Sequence, residues 1–245
     1  MSYLRLKRSQ VIIAAFAAFS LFAVLVPSVD LAVSRFFFDG VAFPRAAWWV
    51  KLQQDLLTLF LSITMLSVVL VYAWNRLLRQ CVLKIDGRRV LYLLLVLIIG
   101  AGLIVNTGFK DNFGRARPRD VVEFGGSRAF TPAYVISGEC RTNCSFSSGD
   151  SAAGFFTIAL VMAFRGRRAY YIAAGALGVV VSLARLAAGA HFLSDTVVSF
   201  FVMLIVSDVL FHYMIAIPSK RRMATSVGKE ELASAYASTR DDRPT

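Results

Sequence analysis

The residues able to do chemistry in this 245-residue chain fall into three short segments. Lys110 is followed by Arg115, Arg117 and Arg119. Ser147, Ser148, Gly149 and Asp150 stand together, and Arg185, His191 and Asp195 complete the set. Arginine presents a planar fork of donors that matches phosphate oxygens, and lysine adds a point charge. A helix opening at Ser-Ser-Gly offers unpaired backbone N–H groups and the positive end of its dipole, which suits an anion. Gly149 lets the backbone approach closely. His191 and Asp195 are four residues apart, on one face of a helix start. A carboxylate on one imidazole nitrogen fixes the tautomer and frees the other nitrogen as a nucleophile. Together the segments describe a phosphate cradle with a histidine aimed at phosphorus. Each also has a plainer meaning alone. Arginines at span ends snorkel, Ser-Ser-Gly caps helices, and a His–Asp pair is often structural. The common side and ordered spacing favour taking them together.

These residues need elements to hold them, and the composition says which. The chain is 57% hydrophobic and 17% charged, with a mean hydropathy of +0.63. Soluble domains average about 45–50% apolar and about 25% charged. Disorder is excluded by the apolar content, and a disulfide scaffold by a count of only three Cys. Six apolar segments are candidate membrane spans: Val11–Val26, Leu56–Ala73, Val90–Val105, Ser151–Phe164, Tyr170–Ala184 and Phe192–Ile217. The fourth and fifth are the weakest, though their Gly and Ala content suits close helix packing. The first resembles a signal peptide, with Arg5, Lys7 and Arg8 before it. It lacks a small-x-small cleavage site before Pro27, so a retained span is expected.

The formal charge of +12 has two meanings. A basic pI points to nucleic acid in a soluble protein; in an apolar chain it can record topology. Sorting by segment decides. The N-terminus, the second-to-third loop (76–89), the fourth-to-fifth loop (165–168) and the tail after Pro218 together carry the whole net +12. The opposite side carries a net of +1, with Asp208 left inside the sixth span. Basic loops stay cytoplasmic, which predicts six spans with both termini inside and no nucleic-acid partner. The cradle residues all fall on the outer side. The expected organisation is a membrane domain over 1–217, with an outer loop at 106–147, and a polar cytoplasmic tail at 218–245.

Smaller features follow from the same layout. Trp48, Trp49 and Trp74 sit where aromatic belts occur. Phe36, Phe37 and Phe38 either dip into the interface or pack on the bundle. Cys140 and Cys144 lie in the outer loop, where an oxidising compartment permits a disulfide; the alternatives are free thiols or an incomplete metal pair. Two His in the whole chain make a zinc site improbable. Cys81 falls on the cytoplasmic side and is expected reduced. Asp208 and His212, four apart and deeper in the sixth span, are taken as structural, although ionisable groups at membrane depth are functional by default.

At the cradle residues the sequence resembles the type 2 phosphatidic acid phosphatase superfamily, which also includes vanadium haloperoxidases. The family's K-x6-R-P motif is met by Lys110-Asp111-Asn112-Phe113-Gly114-Arg115-Ala116-Arg117-Pro118. Its P-S-G-H motif is met in part by Ser147-Ser148-Gly149-Asp150. Its S-R-x5-H-x3-D motif is met by Arg185, His191 and Asp195, with Ala184 in the Ser position. The resemblance implies an all-α polytopic bundle of about six transmembrane helices around the superfamily core. It implies that Lys110, Arg117 and Arg185 bind phosphate, with the backbone of Ser148 and Gly149, and the Ser148 hydroxyl, completing the cradle. His191 would be the nucleophile, forming a phosphohistidine that water hydrolyses, and Asp195 would orient it. No metal or other cofactor is expected, since Lys and Arg supply the charge that a metal ion supplies elsewhere.

One position departs from the family. The second-motif His that protonates the leaving group is Asp150 here. Free Asp titrates near 3.9, so the residue is a carboxyl raised by burial, or an orienter of water, or dispensable with a good leaving group. The run Cys144-Ser145-Phe146-Ser147-Ser148-Gly149-Asp150 resembles a bacterial branch that includes lipid A phosphatases. The expectation is therefore a bacterial inner-membrane lipid phosphatase with its site facing the periplasm. Its substrate is a lipid phosphate in the bilayer, with lipid A first, the 1-phosphate favoured. Undecaprenyl diphosphate, phosphatidylglycerophosphate and phosphatidate are alternatives. An inactive lipid-phosphate binding or transport protein is the non-enzyme alternative. A soluble-type haloperoxidase fits six spans poorly. Oligomeric state is not legible.

Overall fold

The structure, a computed structural model, describes residues 2–44, 48–80 and 82–217, with side chains from Ser9 onward. The tail after Ile217, Arg45, Cys81 and the side chains of Arg5, Lys7 and Arg8 lie outside the described residues. The described chain is helical, and its only β pairing is an isolated bridge between Val121 and Arg128. Among the described residues, seven helices longer than a single turn are met in order: α1 (Ser2–Leu25), α2 (Ser28–Phe36), α3 (Trp48–Leu78), α4 (Gly87–Lys110), α5 (Gly149–Ala163), α6 (Arg168–Ala187) and α7 (Leu193–Ala216). The later part of α4, from Val96 to Lys110, winds with the wider π-helical turn.

The six expected spans correspond to six helical segments of differing kind. The first is a bent pair. Pro27, with φ fixed at −66°, ends the ladder after Leu25, and α2 leaves at 86° to α1. Four helices (α3, α4, α6 and α7) are long and apolar enough to cross a membrane, or five spans if the bent pair is one. The expected fourth span is α5, whose 15 residues rise only about 22 Å, against about 30 Å of hydrocarbon. Most of its side chains are buried, because it runs through the middle of the bundle. The chain is a multi-pass membrane protein. Large apolar side chains of α3, such as Leu59 at 56% exposure, cover the outside of the bundle, where lipid rather than water is the solvent.

Small residues let α5 and α6 meet. A Cβ at Gly178 would overlap the Phe155 ring, and one at Gly154 would stand 3.1 Å from the Gly178 Cα. Ser182 Oγ donates to Ser151 Oγ at 3.0 Å across the same seam. Such small-residue contacts and interhelical hydrogen bonds are what hold helices together when lipid removes the hydrophobic drive.

At one end of the bundle the 111–148 segment forms a loop layer. Phe38, Phe43 and Phe124 pack with ring centroids 5.3 Å apart, so Phe38 joins this layer, whereas Phe36 is 84% exposed. The packing reading of the Phe run thus holds for Phe38, and Phe36 packs only edge-on against the Phe37 ring. Cys140 and Cys144 are joined by a disulfide with Cα atoms 5.5 Å apart, closing a small loop in this layer. At the opposite end, Ser9 Oγ donates to Asp208 at 2.8 Å, tying α1 to α7. Asp208 and His212 line a cavity of about 440 Å³ there, remote from the loop layer.

Candidate active site

Helix ends deliver the site. α6 finishes in a Schellman turn: Ala190 N–H donates to Arg185 O at 3.0 Å, and Gly189 N–H donates to Leu186 O at 2.9 Å. Gly189 is left-handed, with φ of +59°, a conformation that a side chain would strain. The turn leaves Arg185 on the last helical turn and sets His191 just before α7. Asp195 then accepts the Phe192 N–H at 2.8 Å, in the manner of an N3 acid at a helix start. On α5, Ser148 is the N-cap, its Oγ accepting from Ser151 N–H at 3.2 Å. Lys110 is the last residue of α4.

The three segments do converge. A Cβ at Gly149 would lie 3.9 Å from Lys110 Nζ, so that ammonium stands over the start of α5. Asp150 Oδ2 accepts from Arg185 Nη1 at 3.3 Å and from Gln54 Nε2 at 3.3 Å. Arg185 is 5% exposed and loosely held: its Nη2 reaches Val50 O at 3.4 Å, and its buried Nε has no partner among the described residues. A buried guanidinium with donors in reserve is suited to an incoming anion. Arg117 Nη2 donates to Asn143 O at 2.7 Å, and its charge acts on Asp150, Asp195 and Arg185. Burial lowers the Arg117 pKa, and Asp120 and Asp150 oppose it.

His191 is 2% exposed. Its Nδ1 is 2.8 Å from the Ser145 carbonyl oxygen and 3.6 Å from Asp195 Oδ2. The sequence points to Asp195 as the direct partner of the ring; the structure puts a backbone carbonyl there instead. A carbonyl only accepts, so Nδ1 carries the hydrogen and Nε2 keeps its lone pair. Asp195 acts one step back, accepting from Ser145 Oγ at 2.5 Å and so holding the residue that holds His191.

Ser148 is partly committed within the fold. Its N–H donates to Asp195 O at 3.3 Å, and its hydroxyl oxygen accepts from Ser151 N–H. The hydroxyl keeps its own hydrogen for an anion, beside Gly149 and the dipole of α5. Residues that sequence spacing left out are Gln54, Ser194 and Asp30, each arriving from a different element, while Ser145 stood in the Cys144–Asp150 run with no role attached to it.

Burial drives the His191 pKa below its ordinary value of 6.5, with Asp195 pulling the other way and Arg117 and Lys110 adding to the fall. The ring is therefore neutral at pH 7, and protonation on acidification would remove the Nε2 lone pair. Nitrogen NMR of the full chain should show His191 as an Nδ1–H tautomer at pH 7. Its titration midpoint should lie below 6.5; a midpoint above that value would contradict the burial.

The profile of the PAP2 superfamily matches residues 90–217. The lipid A 4′-phosphatase of Francisella tularensis subsp. novicida (strain U112) is 41% identical over 118 residues, 46% of this chain and 53% of that protein. The lipid A 4′-phosphatase of Rhizobium leguminosarum is 37% identical over 112 residues, 45% of this chain and 48% of that protein. The chain thus spans about half the length of the curated relatives it matches. Among solved structures, a transmembrane PAP2 type phosphatidylglycerolphosphate phosphatase from Bacillus subtilis is similar with a TM-score of 0.48 and 19% identity, over 82% of this chain and 94% of that one. The profile covers more than half of the chain and takes in Lys110, Arg117, Gly149, Arg185, His191 and Asp195. By that match, and by the helix ends that gather those residues, the chain belongs to the PAP2 superfamily.

Proposed function

We propose that the protein is a lipid phosphatase that removes a phosphate from lipid A at the periplasmic face of a bacterial inner membrane, through a phosphohistidine on His191. The observation that carries this is the neutral, buried His191, with Nε2 free, set among Lys110, Arg117 and Arg185 at the start of α5. In the first step the Nε2 lone pair bonds to phosphorus. The phosphorus–oxygen bond to the sugar breaks, and its electron pair leaves on the sugar oxygen, which takes a proton from water. In the second, a water oxygen bonds to phosphorus, the phosphorus–nitrogen bond breaks, and its electron pair returns to the ring. Asp150, held by Gln54 and Arg185 at the mouth of the cradle, takes the proton released by that water. The three cations meet the charge on the transferring group, as preorganised donors do in phosphoryl transfer.

A lipid substrate is supported by an apolar groove of about 370 Å³ between α3 and α6, lined by Trp49, Leu52, Leu56, Leu177 and Val180. It starts beside the cradle, because Val50 and Gln54 of the same helix touch Arg185 and Asp150. Gln53 also lines it, with both amide atoms buried and unpartnered among the described residues, and would meet the polar head of an acyl chain. Leaving-group ability favours the 1-phosphate of lipid A, a glycosyl phosphate. The relatives are named for the 4′-phosphate, and we take that position first.

The test is phosphate release by the purified chain from lipid A, with mass spectrometry of the product locating the lost phosphate. Phosphatidate and phosphatidylglycerophosphate serve as comparison lipids. No release from any of them would sink the phosphatase reading. Asp150→Asn should slow turnover by about 10²-fold, the size of a general-base contribution, with phosphohistidine accumulating. Unchanged turnover would remove Asp150 from the proton path.

A further inference from the structure

Asp30 lies outside the three motifs and outside the span matched by the family profile. It sits on α2 and is 4% exposed. Its Oδ2 accepts from Arg115 Nη2 at 2.7 Å and from Ser194 Oγ at 2.6 Å, and its Oδ1 accepts from Ser194 N–H at 2.8 Å. Arg115 is 1% exposed. Its Nη1 donates to Asp195 Oδ1 at 2.5 Å, its Nε donates to Thr131 O at 2.7 Å, and the Phe192 ring lies 4.2 Å from its guanidinium carbon. Asp195 in turn stands 3.6 Å from the His191 ring. A buried row of charged groups therefore runs from α2 through the loop layer to His191.

The charges in that row do not cancel. Arg115 and Asp195 alone would form a neutral pair. Asp30 adds a second carboxylate, leaving the cluster one negative charge in excess. The ring of His191 gains a positive charge when Nε2 bonds to phosphorus, because Nδ1 keeps its hydrogen. The other charged groups facing it, Lys110 and Arg117, oppose a positive ring, and Asp150 and Arg185 are paired with each other. A tie between α2 and α7 would need only one hydrogen bond to Ser194; the bond to Arg115 is what alters the charge.

We propose that Asp30 is a positioning residue for phosphoryl transfer, which acts through Arg115 to hold Asp195 in place and keep the cluster behind His191 net negative, so stabilising the imidazolium of the phosphohistidine. This rests on the phosphohistidine mechanism proposed above. It also gives the bent α1–α2 pair a part in a site whose other charged groups come from the matched span.

The experiment compares the full chain with Asp30→Asn, Asp30→Glu and the double variant Asp30→Asn, Arg115→Gln. Two quantities are read: the His191 titration midpoint by nitrogen NMR, and the single-turnover rate of phosphohistidine formation from a lipid phosphate. Asp30→Asn should lower the midpoint and slow formation by about tenfold or more, the scale seen when outer partners of a ligand histidine are removed, with KM unchanged. Asp30→Glu should stay close to the native protein. The double variant restores the single negative charge and should recover most of the lost rate and midpoint, whereas a purely architectural role makes it worse than Asp30→Asn. An unmoved midpoint in folded Asp30→Asn, or a double variant poorer than the single, overturns the proposal. Should Asp30→Asn not fold, as read from its melting temperature, the double variant decides alone: a midpoint well below the native one overturns the proposal, and a native-like midpoint supports it. A midpoint that moves as expected in a protein releasing no phosphate overturns the phosphatase reading and supports the charge coupling.

Discussion

His191→Ala should reduce phosphate release from a lipid phosphate by about 10⁴-fold or more, the scale on which loss of a nucleophile acts. The size follows from the site's construction. Lys110, Arg117 and Arg185 can bind a phosphate, but none offers a lone pair to phosphorus, and a second histidine, His212, lines a cavity at the opposite end of the bundle. Binding should therefore survive the substitution while the covalent step is lost. Acid-labile phosphate should label the native protein during turnover and be absent from the variant. The substitution also leaves the Ser145 carbonyl without its partner, at a cost of about 1–3 kcal/mol for a buried acceptor. A melting measurement in detergent separates that loss from the chemical one. Equal release by native protein and a folded variant would end the case for His191 as nucleophile.

Arg185→Ala should cost about 10²–10³-fold, mainly in kcat, as expected for a donor aimed at charge that develops in the transition state. Arg185 contacts Asp150 and Val50 O at 3.3 and 3.4 Å, long for hydrogen bonds, and its Nε is unpartnered among the described residues. Its hydrogen-bonding capacity is thus largely uncommitted in the fold and becomes available to the transferring phosphoryl group. Stability should suffer little, because the Asp150 side chain it leaves behind is 38% exposed and can be solvated. Arg185→Lys keeps the charge but loses the planar fork, so it should fall between the native protein and Arg185→Ala. A kcat within about threefold of native in Arg185→Ala, far less than a lost transition-state donor costs, would show that the arginine serves Asp150 alone.

Much of the site was legible because its residues are repeated signals along the chain. Lys110 and Arg117 fall seven residues apart before a proline, and His191 and Asp195 fall one helical turn apart. Spacing along one chain segment carries that information directly. Spacing could not show that the Ser148 hydroxyl oxygen accepts from Ser151 N–H, or that Ser145 supplies the carbonyl at His191, because those are choices among competing partners. The spans were legible to a similar degree. Val90–Val105 lies inside α4, and Tyr170–Ala184 inside α6, since a long apolar run admits one solution in lipid. The fourth segment was ambiguous for a physical reason: α5 is enclosed by other helices and needs no length matched to the bilayer.

By itself, the sequence determined the all-helical membrane class, the asymmetry of basic charge between loops, and the identity of the cationic and imidazole groups. Each depends on composition or on contacts within a few residues. The tertiary structure decided which groups meet. Asp30 and Asp195 are 165 residues apart, yet they share the guanidinium of Arg115. No local periodicity encodes that meeting; it exists because Pro27 turns α2 across the end of the bundle and α7 begins beneath it.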